Sequence, residues 1–265
     1  MKIGFIGCGN MANAIIKGII KSEAAVSEDI NVFDVFTPTL LSMNEKYGVN
    51  ICEDECSVAR QSDIIILAVK PNILSSVLEK INTTIENEEK LLISIAAGKT
   101  IDFIRNLLTH DNKIIRVMPN INAKVGEAIC AYTANQFVTQ EDKDNCEKLF
   151  SAVGSIMYLE ENYFPLFGVL GGCGPAFAYM FIDALARAGV KNGMKKDIAL
   201  TIAAQTVLGS AKLILESNEH PWELIDQVCS PGGTTIESVT SLQADGFENA
   251  IHNAVNKALE KDSKL

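Results

Sequence analysis

The sequence is short of positive charge. Its 23 Lys and Arg stand against 33 Asp and Glu, a formal net charge of -10. A nucleic-acid footprint needs a basic face, so nucleic acid is not an expected partner. No run approaches 18 consecutive apolar residues, and no membrane span is expected. The opening MKIGFIGCGNM is interrupted by Gly and Asn and does not read as a signal peptide. The seven cysteines (Cys8, Cys52, Cys56, Cys130, Cys146, Cys173, Cys229) are odd in number and follow no framework spacing. Cys52 and Cys56 form a CxxxC without a second pair or a nearby histidine, which is not a zinc pattern, so no metal is expected. Reduced thiols and no targeting segment lead to an expectation of cytoplasm. Of three histidines, His110 and His252 read as surface helix residues and His220 precedes Pro221 at a helix start. None is a strong candidate acid. The chain also lacks internal repeats, low-complexity tracts and a Gly/Ser linker.

What remains is an ordinary globular composition, 48% hydrophobic and 21% charged over 265 residues. Apolar, β-rich runs fall at 2–6, 30–35, 63–69, 91–95 and 113–118. Helical stretches at 11–21, 38–47, 73–81 and 101–108 lie between them. Runs such as DIIILAV are apolar on consecutive residues, as in a parallel strand buried on both faces. The alternation predicts right-handed βαβ crossovers and a doubly wound, Rossmann-type parallel sheet over 1–161. EAICAYTA and SIMYL add two strands around a helix at 139–153. From about residue 162 the pattern is all-α, with helices at 175–191, 195–217, 221–228, 234–242 and 247–261. The 195–217 helix is apolar on nearly every face, and the hundred or so residues around it cannot cover it alone. A partner subunit is the expected cover.

IGFIGCGNMANAI sets Gly7, Cys8, Gly9, Asn10, Met11 and Ala12 between a strand and a helix, as G-x-G-x-x-A. Gly7 suits a tight turn, Gly9 lets a pyrophosphate approach the backbone, and Ala12 allows close helix–strand packing. Asp34 closes the next strand, about 20 residues on, where an acid meets ribose hydroxyls and repels a 2′-phosphate. Residues 35–38 hold no Lys or Arg, which favours NADH over NADPH. Asp34 also reads as a cap of the following turn. Ala68, Val69, Lys70 and Pro71 end one strand and Ala96 and Ala97 another, at carboxyl edges where α/β sheets bind ligands. Lys70 there serves an anionic ligand or is a solvated strand-end lysine. Asn120, in RVMPN, reaches the same edge and is expected to contact the substrate.

GFIGCGNMANAII, ILAVKP, ISIAAG, IRVMPNINA, GGCGPAF followed by ALARAGVKNGM, and VCSPGGTTI occur in this order. Together they resemble pyrroline-5-carboxylate reductase over essentially the whole chain. The resemblance implies reduction of Δ1-pyrroline-5-carboxylate to L-proline with NADH or NADPH. It further implies a helical unit, 162–265, that binds substrate and builds a dimer, often five dimers in a decamer. Cys173 departs from the Ser common in the family. Glu55 falls near the adenosine where many members have Asn, an added charge that would also disfavour a 2′-phosphate.

The substrate of such an enzyme is a small cyclic imine bearing a carboxylate, so recognition rests on the carboxylate and the nitrogen. In Ser230-Pro231-Gly232-Gly233-Thr234-Thr235, Pro231 fixes direction and Gly232 and Gly233 permit angles that aim N–H groups inward. Thr234 and Thr235 open a helix whose N-terminus adds donors, and Ser230 adds a hydroxyl. The resemblance places Thr235 at the imine nitrogen, where its hydroxyl hydrogen-bonds and relays or positions a proton. The same stretch also reads as a plain interhelical loop capped by threonine. Two other functions share parts of the pattern. A different imine or β-hydroxyacid reductase would not carry Ser-Pro-Gly-Gly-Thr-Thr, and a nucleotide-sensing regulator would not need it.

Overall fold

Ile64-Ile65-Ile66-Leu67 offers no polar position, and the strand it forms has both faces covered. In the computed structural model, which describes residues 1–86 and 89–264, this strand lies inside an eight-stranded sheet. The chain divides into two compact units, Met1–Gly172 and Cys173–Lys264. In chain order the first comprises β1 (Ile3–Ile6), α1 (Asn10–Lys21), β2 (Ile30–Phe33), α2 (Thr37–Tyr47), β3 (Asn50–Ile51), α3 (Glu55–Gln61) and β4 (Ile64–Leu67). It continues through α4 (Leu74–Ile85), β5 (Leu91–Ser94), α5 (Ile101–Arg105), β6 (Lys113–Met118), β7 (Ala128–Ala134), α6 (Gln140–Ser151), β8 (Gly154–Tyr158) and α7 (Phe164–Phe167).

The sheet order is β3-β2-β1-β4-β5-β6-β7-β8. The first six strands are parallel, with Ile3 opposite both Ile30 and Ile64. Period-two alternation sorts their side chains to two cores. Ile3, Phe5, Ile64 and Ile66 pack with Ile15 of α1, Met43 of α2 and Phe150 of α6. Ile6, Ile65 and Leu67 pack with Val58 of α3, Leu78 of α4 and Ile104 of α5. The two late strands depart from a purely parallel sheet. Only a short 3-10 turn, Ile121–Val125, lies between β6 and β7, too little chain for a crossover helix, so β7 runs antiparallel to β6. The α6 crossover then returns β8 parallel to β7.

Sequence reading leaves 48–62 without structure, yet it contains β3 and α3. A two-residue strand and a seven-residue helix are too short to display a period. The cap is legible in retrospect: the Asp54 carboxylate accepts the Ser57 N–H at 2.6 Å. The helix expected at 101–108 stops at Arg105. His110 therefore lies in a loop rather than on a helix, its Nε2 3.2 Å from a Glu86 carboxylate oxygen.

The second unit comprises α8 (Gly174–Lys191), α9 (Lys196–Glu216), α10 (Pro221–Val228), α11 (Thr234–Ala244) and α12 (Phe247–Asp262). Its core among the described residues is small: Ala186, Ala199 and Ala203, with Ile182 against them. Only Ala199 and Ala203 are buried along the 21 residues of α9, while Leu208 is 57% exposed and Leu215 85%. The expectation that this helix lacks cover within its own chain holds. The sequence-based membrane test does not. Glu161–Lys191 and Lys196–Glu216 are both long and apolar enough to cross a bilayer by length and composition; Gly and Pro in the first and Thr, Gln and Ser in the second break the run of strongly apolar side chains while the mean hydropathy stays high.

Candidate active site

The direction of strand addition reverses at β1, which has β2 on one side and β4 on the other, and a crevice opens there at the carboxyl ends. Gly7 turns the chain out of β1 with φ +97, and its N–H donates to the Phe33 carbonyl at 2.8 Å. A methyl group at Gly7 would stand 2.7 Å from the Ala68 carbonyl oxygen, so only glycine fits. At Gly9 a methyl group would meet nothing within 4 Å. Gly9 caps α1, whose first bonded amide is Asn13, donating to the Gly9 carbonyl at 2.9 Å. The N–H groups of Asn10, Met11 and Ala12 have no acceptor among the described residues. Free donors, a helix N-terminus and open space in front of Gly9 fit a pyrophosphate. Ala12, 1% exposed, packs into the core as expected of the third small residue.

Beside this turn lies a cleft of about 250 Å³. It brings together Gly7, Gly9, Asp34, Ala68, Val69 and Lys70 of the expected set, with Glu55 also where expected, and adds Val35, Ile73 and Val77. Cys8, Asn10, Met11, Ala12, Pro71, Ala96 and Ala97 do not line it. Asp34 serves in two ways at once. Its Oδ1 accepts the Phe36 N–H at 2.8 Å, capping the turn, and its Oδ2 accepts the Cys8 N–H at 2.7 Å. Cys8 is buried; burial, and then the Asp34 charge, push its thiol up to about 12, so it stays protonated. Lys70 is exposed and makes no ion pair among the described residues.

Glu55 needs a correction. It borders the cleft as expected, but it begins a helix and pairs with Lys80 at 2.8 Å. Its charge is thus offset by α4 and gives little repulsion of a 2′-phosphate. Position 80 lies far from 55 in sequence, and no local signal links them.

Asn120 reaches the end of β6, but its side chain is already engaged. Nδ2 donates to the Gly171 carbonyl at 2.9 Å and Oδ1 accepts the Asn122 N–H at 3.3 Å. It ties the strand to a π-helical stretch, Gly168–Cys173. A neighbouring clamp escaped sequence reading. The Arg116 guanidinium, 5% exposed, donates to Glu161 Oε1 at 2.9 Å and stacks 4.4 Å from the Phe164 ring centre. The same Glu161 oxygen accepts the Ile101 N–H at 2.9 Å.

In the second unit, α10 ends at Val228 and α11 begins at Thr234. His220 caps α10, Nδ1 accepting the Trp222 N–H at 3.2 Å, so its imidazole has a structural task. Between these helices the Gly233 N–H donates to the Ser230 carbonyl at 2.9 Å. Gly232 has φ +66, the left-handed conformation glycine permits. Gly233 does not: its φ is -80, and the expectation of special angles at both glycines holds for Gly232 alone. What Gly233 supplies is small size, since a methyl group there would sit 3.1 Å from the Ser230 carbonyl oxygen. Gly233 is also the α11 cap and provides no side chain, so threonine does not cap this helix. The N–H groups of Thr234, Thr235 and Ile236 have no acceptor among the described residues, and neither the Thr235 hydroxyl nor the Ser230 hydroxyl is bonded. Unused donors at the start of an 11-residue helix suit an anion.

A family model described as pyrroline-5-carboxylate reductase dimerisation matches residues 161–265. Residues 2–98 match a model described as NADP oxidoreductase, coenzyme F420-dependent. The pyrroline-5-carboxylate reductase of Escherichia coli strain K12 is 43% identical over 265 residues, covering 100% of this chain and 98% of that protein. A solved pyrroline-5-carboxylate reductase from Coxiella burnetii superposes with TM-score 0.94 at 31% identity, covering 99% of this chain and 97% of that one. That of Plasmodium falciparum, with NADP bound, gives TM-score 0.86 at 34% identity over 99% of this chain and 97% of that one. With likeness of this extent over its full length, the chain belongs to the pyrroline-5-carboxylate reductase family.

Proposed function

We propose that the protein reduces Δ1-pyrroline-5-carboxylate to L-proline, the last step of proline biosynthesis, with NADH as its preferred cofactor over NADPH. The family carries the reaction. The observation that carries the site is the run of unused N–H donors at the start of α11, behind Ser230-Pro231-Gly232-Gly233. The nicotinamide cofactor supplies the hydride that adds to the imine carbon, and a proton goes to the nitrogen. The first unit holds the cofactor through Gly7, Cys8, Gly9, Asn10, Met11 and Ala12 at the pyrophosphate and Asp34 at the ribose. Ala68, Val69, Lys70, Pro71, Ala96 and Ala97 border it at the strand ends.

In the second unit, the N–H groups of Thr234 and its neighbours donate to the substrate carboxylate, with the Ser230 hydroxyl beside them. The Thr235 hydroxyl bonds the imine nitrogen and positions the proton; it is too weak an acid to act alone. Asn120 acts one step back, by holding the Gly171 carbonyl. The functional division falls at 161/162. The uncovered face of α9 packs against a second copy, and the mature assembly is a dimer or a decamer of five dimers in the cytoplasm. Following NADH absorbance with the cyclic imine, and separately with a β-hydroxyacid, tests the assignment. Turnover only with the hydroxyacid would replace it.

A further inference from the structure

Glu55 is the one wall residue of the cleft whose chemistry the account above leaves unused. Its side chain is only 9% exposed, yet it is a carboxylate. Lys80 donates to Oε1 at 2.8 Å. Oε2 accepts nothing among the described residues. It is not sealed away either: the enclosed side-chain polar atoms without partners are Asn112 Oδ1 and Ser217 Oγ. A largely buried carboxylate that lines the cleft, with one oxygen pinned and the other unpartnered, leaves an acceptor for whatever fills that cleft. The rest of the wall near it, Val35, Val69, Ile73 and Val77, is apolar and suits a flat ring.

An adenine dinucleotide offers two kinds of donor, the ribose hydroxyls and the exocyclic amine of the base. The ribose is assigned to Asp34, at the end of β2. We propose that Glu55 selects the base: Oε2 accepts a hydrogen bond from the adenine 6-amino group. Lys80 is a positioning residue that fixes the carboxylate through Oε1 without touching the cofactor. This rests on the nucleotide-binding reading of the cleft. It assigns Glu55 to recognition of the base rather than to rejection of a 2′-phosphate.

The test is binding, independent of turnover. Dissociation constants are measured on the intact protein by calorimetry for NADH and for reduced nicotinamide hypoxanthine dinucleotide, whose base carries a carbonyl where adenine carries the amine. Loss of one hydrogen bond to a charged group, with an acceptor set against an acceptor, predicts roughly tenfold or weaker binding of the analogue. Glu55→Gln, whose amide can also donate, should bring the two dissociation constants together. Lys80→Met should weaken NADH binding several-fold, and Lys80→Arg should restore it. Lys80→Met leaves the largely buried Glu55 carboxylate without its partner and should lower the melting temperature, so its binding is measured well below that temperature; Lys80→Arg keeps the pair and should melt near the wild type. Equal binding of the two dinucleotides by the wild type, or an unchanged ratio in Glu55→Gln, overturns the assignment. Failure to bind either dinucleotide overturns the nucleotide reading with it. Tighter binding of NADPH than NADH would defeat only the Asp34 argument, and the same comparison is then made with the phosphorylated pair.

Discussion

The Asp34 carboxylate accepts the Cys8 N–H at 2.7 Å, joining the end of β2 to the middle of the glycine turn. One side chain thus holds the glycine turn in shape and, under the proposed cofactor placement, faces the adenosine ribose with negative charge. Replacing Asp34 by Ser and Phe36 by Arg removes that charge and adds a cation. The double variant should shift kcat/KM toward NADPH relative to wild type. A wild-type enzyme with the higher kcat/KM for NADPH would defeat the cofactor preference and leave the family assignment intact.

At the opening of α11, Thr235→Ala should lower kcat for imine reduction with little change in NADH affinity. Gly233→Val should mainly raise KM, because its β-carbon would already stand 3.1 Å from the Ser230 carbonyl and displace the turn. Loss of a hydrogen bond to a charged group is worth roughly 1.5–3 kcal/mol, so kcat/KM should fall about tenfold or more in either variant. Circular dichroism and sizing check that both remain folded and oligomeric. Unfolding of both, with normal specific activity in the surviving fraction, would reduce the stretch to a helix link.

Much of α9 is uncovered in a single chain, and exposed apolar surface of this extent marks an interaction site. Light scattering at micromolar concentration should report a multiple of the 28.7 kDa chain. Leu208→Glu, placing a charge on a residue 57% exposed in one chain, should lower that mass or precipitate the protein. A stable particle of one chain's mass in the wild type would remove the argument.

Thiol chemistry should separate the cysteines. Burial pushes Cys130 up to about 12, as it does Cys8, so neither forms thiolate between pH 7 and 9 in the folded protein. Cys173 is exposed. A disulfide reagent at pH 8 should modify Cys173 ahead of both, and Cys173→Ser should abolish the early phase. Early modification of Cys8 would show that the glycine turn opens in solution.

The doubly wound sheet was legible because its strands are long apolar runs that need no partner to be recognised. The glycine turn was legible because Gly7 and Gly9 answer local steric demands. What escaped was short or distant in sequence. α3 spans only seven residues, and the Glu55–Lys80 and Arg116–Glu161 pairs join segments that only the folded sheet brings together. The second glycine of the substrate stretch was misread for a different reason. Composition reports that a side chain is absent, and does not say whether backbone angle or crowding requires it; at Gly233 it is crowding.

The most direct test of the central claim is NADH oxidation by the purified protein as Δ1-pyrroline-5-carboxylate is varied, with proline assayed in the same samples. The account predicts saturable oxidation, one proline formed per NADH consumed, and a large loss of kcat in Thr235→Ala. Absence of imine-dependent oxidation in a folded, oligomeric preparation, or an undiminished rate in Thr235→Ala, would contradict it.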